Sequence, residues 1–209
     1  MLNLLLANPI AFIILAAVLV ASITIHEFAH AWMADRLGDP TPRSRGRVTL
    51  NPLAHLDPVG TIALVLIGFG WGKPVPFDPY NLKNPVKDGA LIALAGPASN
   101  LIIATIFAIA FRLGLLAFLS PIGFSVIVTL IVSLNVMLAI FNLVPVFPLD
   151  GEKILVAILP KLTAIEYRQF MSRYGMFVLI ALLMPWGGIS PVSRLISPVI
   201  SFVTNLLIG

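Results

Sequence analysis

Three residues in the stretch Ser22–Trp32, SITIHEFAHAW, are able to do chemistry: His26, Glu27 and His30. Four residues of α-helix bring about 40° of rotation and ~6 Å of rise, so both imidazoles reach one point beside the helix. This is the H-E-x-x-H pattern, in which two histidines hold zinc and the glutamate acts as general base towards the water that the metal activates. The run around it is apolar. In a bilayer each ionisable side chain at a helix centre costs about 2.5 to 3.5 kcal/mol on insertion scales. A cation shared by His26 and His30, with Glu27 holding a polarised water, offsets that cost, whereas a chance pair of core histidines leaves it standing.

A catalytic zinc takes three protein ligands and keeps one position open. The chain has three histidines, nine acidic residues and no cysteine, so the third ligand is nitrogen or oxygen. Asp150 stands in NLVPVFPLDG, directly after an apolar segment. It reads equally well as a helix N-cap for Glu152 to Leu159, because Asp-Gly-Glu-Lys before an apolar run is a capping signature. His55 is the rival, but it lies in an arginine-rich loop with Asn51, Pro52, Asp57 and Pro58, where a hydrogen-bonded loop histidine is the plainer reading. Spacing alone leaves ligand and cap open for Asp150.

The elements that must position these groups are membrane helices. Of 209 residues, 59% are hydrophobic and 11% charged, with a mean hydropathy of +1.03, which excludes an ordinary soluble domain. The expected fold is an all-α polytopic membrane protein. Apolar runs near Leu4–Met33, Gly89–Phe111, Ile122–Leu143, Tyr174–Trp186 and Leu195–Ile208 predict about five transmembrane helices, the last two forming a closing hairpin near 166–208 after a core near 5–160. The whole of 1–209 reads as a single membrane-embedded domain. Seventeen prolines and fifteen glycines predict broken helices and irregular backbone tucked inside the protein. Gly60–Gly72 is too short to cross, and the alternation around WGKPVPF predicts a re-entrant segment after the first helix, formed as a β-hairpin. The first apolar run has no basic flank and no small-residue cleavage site, so it is read as a retained helix.

The net charge of +4 does not indicate nucleic acid, because the basic residues form no tract with interleaved aromatics. They read as topology signals. Arg36, Arg43, Arg45 and Arg47 follow the first span, Lys73, Lys83 and Lys87 precede the second, and Lys153, Lys161, Arg168 and Arg173 follow the third. By the positive-inside rule these lie in the cytoplasm, the N-terminus lies outside, and His30 and Asp150 fall at a similar depth near the cytoplasmic side of a plasma membrane. No pattern specifies an oligomeric state.

HEFAH, GPASN on the next full span and NLVPVFPLDG after the one beyond together resemble, in order and hydropathic setting, the site-2 proteases, which are intramembrane zinc metalloproteases. GRVTLNPLAHLDPVGT looks like the stretch that follows the zinc helix in their small branch, without PDZ or CBS domains. The resemblance covers roughly Ile23 to Leu155. It implies one zinc ion on His26, His30 and Asp150, and Glu27 as catalytic base. It implies that Asn100 hydrogen-bonds substrate backbone or the developing oxyanion, beside the alternative that Gly96, Ala98 and Ser99 serve close helix packing. Asn142 is implied to hydrogen-bond near the site, to substrate or to its own loop. The Gly60–Phe77 region, with Gly68, Phe69 and Gly70 at its tip, resembles the segment that holds substrate as an added strand. The expected partners are transmembrane protein substrates and the lipid bilayer.

Two other classes fit the same composition. A metal-binding scaffold or zinc transporter offers ligands on both sides of the membrane, whereas the candidates here gather on one. A membrane zinc peptidase of another lineage draws its third ligand from a different acidic motif, and then keeps its metal after Asp150→Ala.

Overall fold

The structure is a computed structural model in which residues 2–67, 70–115 and 123–209 are described. Among these the chain is helical, with short α1 (Leu2–Ala7) leading into α2 (Pro9–Arg36), a single turn α3 (Thr41–Ser44), and α4 (Pro58–Ile67). The order continues with α5 (Pro85–Arg112), α6 (Gly123–Asn142), α7 (Asp150–Ile158), α8 (Lys161–Leu183) and α9 (Pro191–Ile208). Local signals set several of the starts. Asn8 accepts from the Ala11 backbone N–H at 3.0 Å with Pro9 at the first helical position. Ser190 does the same for Ser193 ahead of Pro191, and both follow the rule that a side-chain oxygen satisfies an orphan donor while proline supplies the helical φ.

Four helices are long and apolar enough to cross a membrane: α2, α5, the Ser125–Asn142 part of α6, and α9. The protein is therefore an all-α, multi-pass membrane protein. The expected fifth span lies in α8, whose first half carries Lys161, Glu166, Arg168 and Arg173, leaving too short an apolar stretch to count with the other four.

Helix α5 is the axle. It packs on α2, α6 and α7, with Ala104 and Ala108 set against Val128, Val132 and Val136 of α6, small residues that let helix backbones approach where no hydrophobic force drives association. Loop residues Val144, Val146 and Leu149 pack with Met171 and Leu179 of α8 and Val192 and Ile196 of α9. The C-terminal helices thus cover the loop that delivers Asp150.

The re-entrant region differs from the expected β-hairpin. Asp57 accepts from the Gly60 N–H at 2.8 Å and Pro58 opens the first turn, a helix start strong enough to carry the apolar run to Ile67 as α4. An extended stretch from Gly70 follows, and among the described residues its β-type pairing is an isolated antiparallel bridge between Leu56 and Gly72. Among the described residues there is no regular strand; Gly68 and Phe69 lie outside them. Gly60 and Gly70 sit back to back. A Cβ at Gly60 would lie 2.2 Å from the Trp71 carbonyl oxygen, and one at Gly70 would lie 2.3 Å from that of Gly60.

Candidate metal centre

His26 and His30 project from the inner face of α2, both 7% exposed, with ring centroids 4.6 Å apart and planes nearly perpendicular. The first residue of α7 meets them. Asp150 Oδ2 is 3.2 Å from His26 Nε2 and 3.2 Å from His30 Nε2, and the two nitrogens are 3.0 Å apart. Asp150 is buried and makes no capping bond; the cap position falls on Leu149, whose side chain offers none. Helix start and carboxylate placement therefore coincide in one residue without competing for the same oxygen.

Two buried imidazole nitrogens and a carboxylate oxygen suit zinc, which takes such ligands at about 2.0–2.2 Å in a tetrahedron, hence roughly 3.3 Å from one another. The observed separations lie within a few tenths of that. The space around them is shaped by an absence of side chain. A Cβ at Gly96 of α5 would lie 2.4 Å from His30 Nε2 and 2.6 Å from His26 Cε1, so only glycine lets α5 close over the rings. The residues present fit the ion.

Each ring is held from behind. His30 Nδ1 lies 2.6 Å from the backbone carbonyl oxygen of Ile92, an acceptor only, so Nδ1 carries the proton and Nε2 turns a lone pair to the cluster. His26 Nδ1 lies 2.6 Å from Asn100 Oδ1. Asn100, fully buried, also bonds Asn135 at 2.8 Å. Both ends of its amide are engaged behind the ring, on the Nδ1 side of His26.

The cluster opens on a cavity of about 700 Å³ lined by Glu27, Gly70, Gly72, Asn142, Lys153 and, from α8, Met176, Leu179 and Ile180. Asn142 donates to the Leu138 carbonyl at 2.9 Å and shows its side to the cavity. Lys153 lies over the Phe77 ring at 5.5 Å, a cation–π contact across the rim. Glu27 faces the extended stretch, where a Cβ at Gly72 would sit 3.2 Å from its Oε1.

Arg47, which the sequence offers only as a topology signal, is 4% exposed and reaches inward. Its guanidinium donates to the carbonyls of Lys73 and Pro74, the latter at 3.1 Å, and stands 3.9 Å from Glu27 Oε2. Burial pushes the guanidinium pKa down and the Glu27 carboxylate draws it back part of the way. His55, the rival ligand, is buried in the loop, with Nε2 on the Thr49 carbonyl at 2.8 Å and its own carbonyl accepting from Lys73 N at 2.7 Å. Asn135 also escapes notice in the sequence, although a lone asparagine inside an apolar run is itself a signal.

The sequence has counterparts among known proteins. The family model described as Peptidase family M50 matches residues 117–185. The Bacillus subtilis (strain 168) protein named "Putative zinc metalloprotease YwhC" is 40% identical over 174 residues, covering 80% of this chain and 78% of that one. Rip2 of Mycolicibacterium smegmatis, named in the same words, is 34% identical over 67% of this chain and 55% of its own length. The zinc metalloprotease MJ0392 of Methanocaldococcus jannaschii is 30% identical over 74% of this chain and 37% of its own. The chain thus spans most of the first relative and about half or less of the other two. No solved structure gives a significant match. The chain belongs to peptidase family M50, the site-2 protease family, and is a zinc metalloendopeptidase.

Proposed function

We propose that this protein hydrolyses peptide bonds within or beside membrane-spanning segments of other membrane proteins, with zinc on His26, His30 and Asp150 and with Glu27 as the base. One observation carries the reading: the three ligand atoms converge beside Glu27 on a cavity enclosed by membrane-crossing helices. When bound, the zinc ion acidifies a water molecule and polarises the scissile carbonyl. Glu27 takes the proton of the attacking water and delivers it to the leaving amine. His26, His30 and Asp150 would hold the ion. Arg47 holds a positive charge 3.9 Å from Glu27 Oε2.

Substrate must be unwound before it is cut, and each backbone group left open in lipid costs several kcal/mol. The extended stretch after Gly70 supports docking of the unwound segment as an added strand, with Gly70 at its start and Asn142 across the cavity. Its Lys73 N–H and the carbonyls of Lys73 and Pro74 are committed to His55 and Arg47, which fixes the stretch in place. The basic residues at and after the C-terminal end of α2, at the start of α5 and around α7 support a site near the cytoplasmic face of the plasma membrane, an N-terminus outside, and 1–209 acting as one domain with α8 and α9 as its closing hairpin.

The test is cleavage of a model transmembrane peptide by purified protein in proteoliposomes, with fragments mapped by mass spectrometry. Wild type cuts inside the hydrophobic segment. Glu27→Gln keeps one zinc per chain and loses about 10²- to 10⁴-fold in rate. Undiminished cleavage by Glu27→Gln removes the assigned base, and metal flux without cleavage favours a transporter.

A further inference from the structure

We propose that Asn135, on a helix that supplies no ligand, decides which ring nitrogen of His26 carries the proton and so keeps Nε2 open to the metal. The inference rests on the ligand role assigned to His26. Four hydrogen bonds run from the ring into the bundle, through α5 and α6 and back to α2. His26 Nδ1 meets Asn100 Oδ1 at 2.6 Å; Asn100 Nδ2 meets Asn135 Oδ1 at 2.8 Å; Asn135 Nδ2 meets Ser22 Oγ at 3.0 Å; Ser22 Oγ meets the Val18 carbonyl at 2.8 Å. Ser22, Asn100 and Asn135 are buried, the two asparagines with no exposed surface at all.

The direction of this chain is fixed from its far end. Asn135 Nδ2 also lies 2.9 Å from the Ile131 backbone carbonyl, which can only accept. The Asn135 amide must therefore turn its NH₂ that way and present its oxygen to Asn100. Asn100 must answer with its NH₂, which also points at the Ser22 carbonyl 3.4 Å away, and present its own oxygen to His26. Only an Nδ1–H ring completes the sequence, and each bond polarises the next.

The relay matters because something opposes it. Asp150 Oδ2 lies 3.2 Å from His26 Nε2, and a carboxylate there draws the single ring proton of a neutral imidazole to Nε2. That proton would occupy the lone pair a metal needs. His30 is secured directly by the Ile92 carbonyl; His26 has no backbone acceptor and depends on two amides in series.

Zinc affinity of the purified full chain in detergent, measured against a competing chelator, reads this. Asn135→Ala weakens zinc by 10-fold or more, within the 10- to 100-fold range of groups that orient metal-bound histidines, and alters the visible absorption of the cobalt-loaded protein. Thr24→Ala is the control. It removes an equally buried hydroxyl of α2, bonded to the Val20 carbonyl at 2.7 Å with no link to the relay, and leaves zinc affinity unchanged. Nitrogen NMR of the metal-free wild type at alkaline pH, with three histidines to assign, shows His26 as the Nδ1–H tautomer. Zinc affinity unchanged in folded Asn135→Ala overturns the proposal, as does an Nε2–H tautomer in the wild type, a result that stands even where the variant does not fold. Loss of zinc by Asn100→Ala but not by Asn135→Ala ends the relay one residue short and also overturns it. Zinc retained after His26→Ala instead removes the ligand role on which the inference rests.

Discussion

Helices α5 and α9 are both able to cross a bilayer, yet 44% of the most apolar stretch of α5 is buried inside the protein against 6% of that of α9. The polar content follows burial. Helix α5 carries Asp88, Gly96 and Asn100 among its buried residues, whereas α9 buries only Val192 and Ile196. A bilayer offers no partners to a polar group, so chemistry is placed on the helix that has protein on several sides, and the outer helix is left to face lipid.

Substitutions graded along this contrast should give graded effects. The largest is expected at the α2–α5 contact: Gly96→Val drives a branched side chain into both imidazoles, and zinc content of the purified protein falls below a tenth of the wild-type value, beyond the ~1–3 kcal/mol typical of overpacking. Next is Arg47→Ala, which strips two backbone carbonyls of their donor; a stability loss of about 1–3 kcal/mol in thermal unfolding is expected, with a fall in kcat/KM for a transmembrane peptide while zinc stays bound.

A smaller, pH-dependent effect belongs to Asp39, outside the spans. Its carboxylate accepts from Thr41 N and Oγ1, Asp78 N and Asn81 Nδ2 at 2.6–3.0 Å, tying the end of α2 to the entrance of α5. Burial pushes its pKa up, but these bonds outweigh burial and hold it below the usual 3.8. The unfolded chain binds this proton more readily, so the stabilisation is complete above about pH 4. It fades as acid titrates the folded group. Asp39→Asn should lose about 1 kcal/mol at neutral pH and flatten that acid limb in melting curves. The smallest effect is expected at Phe202 of α9, 69% exposed: Phe202→Ala should change stability by under ~0.5 kcal/mol. A large loss there would mean that the Phe202 face of α9, too, packs against protein.

His26, Glu27 and His30 were legible because ionisable groups at helical spacing in an apolar run are too costly to keep unless a shared cation compensates them. The spans followed from hydropathy, except where charge in the first half of α8 shortened the apolar stretch. Asp150 was readable as important and not as ligand or cap, since both uses demand the same residue at the same helix end. The relay was illegible for a different reason: Ser22, Asn100 and Asn135 meet only because three helices cross at one depth. The inward reach of Arg47 was not legible, because a positive-inside count does not say which arginine folds inward. In the re-entrant region the alternating WGKPVPF segment lies in the extended stretch, but the apolar run before it is helical, because Asp57 and Pro58 start a helix there.

Gly60 seats on the Trp71 backbone, and Gly70 on the Gly60 carbonyl and the Leu64 side chain, so α4 and the stretch beside Glu27 meet at close quarters. Val59, Ile62 and Leu66 of α4 are each about 60% exposed, an apolar edge suited to acyl chains. A shift of α4 with bilayer thickness should therefore be felt beside the base, and turnover is expected to vary with lipid chain length even for a substrate that never changes.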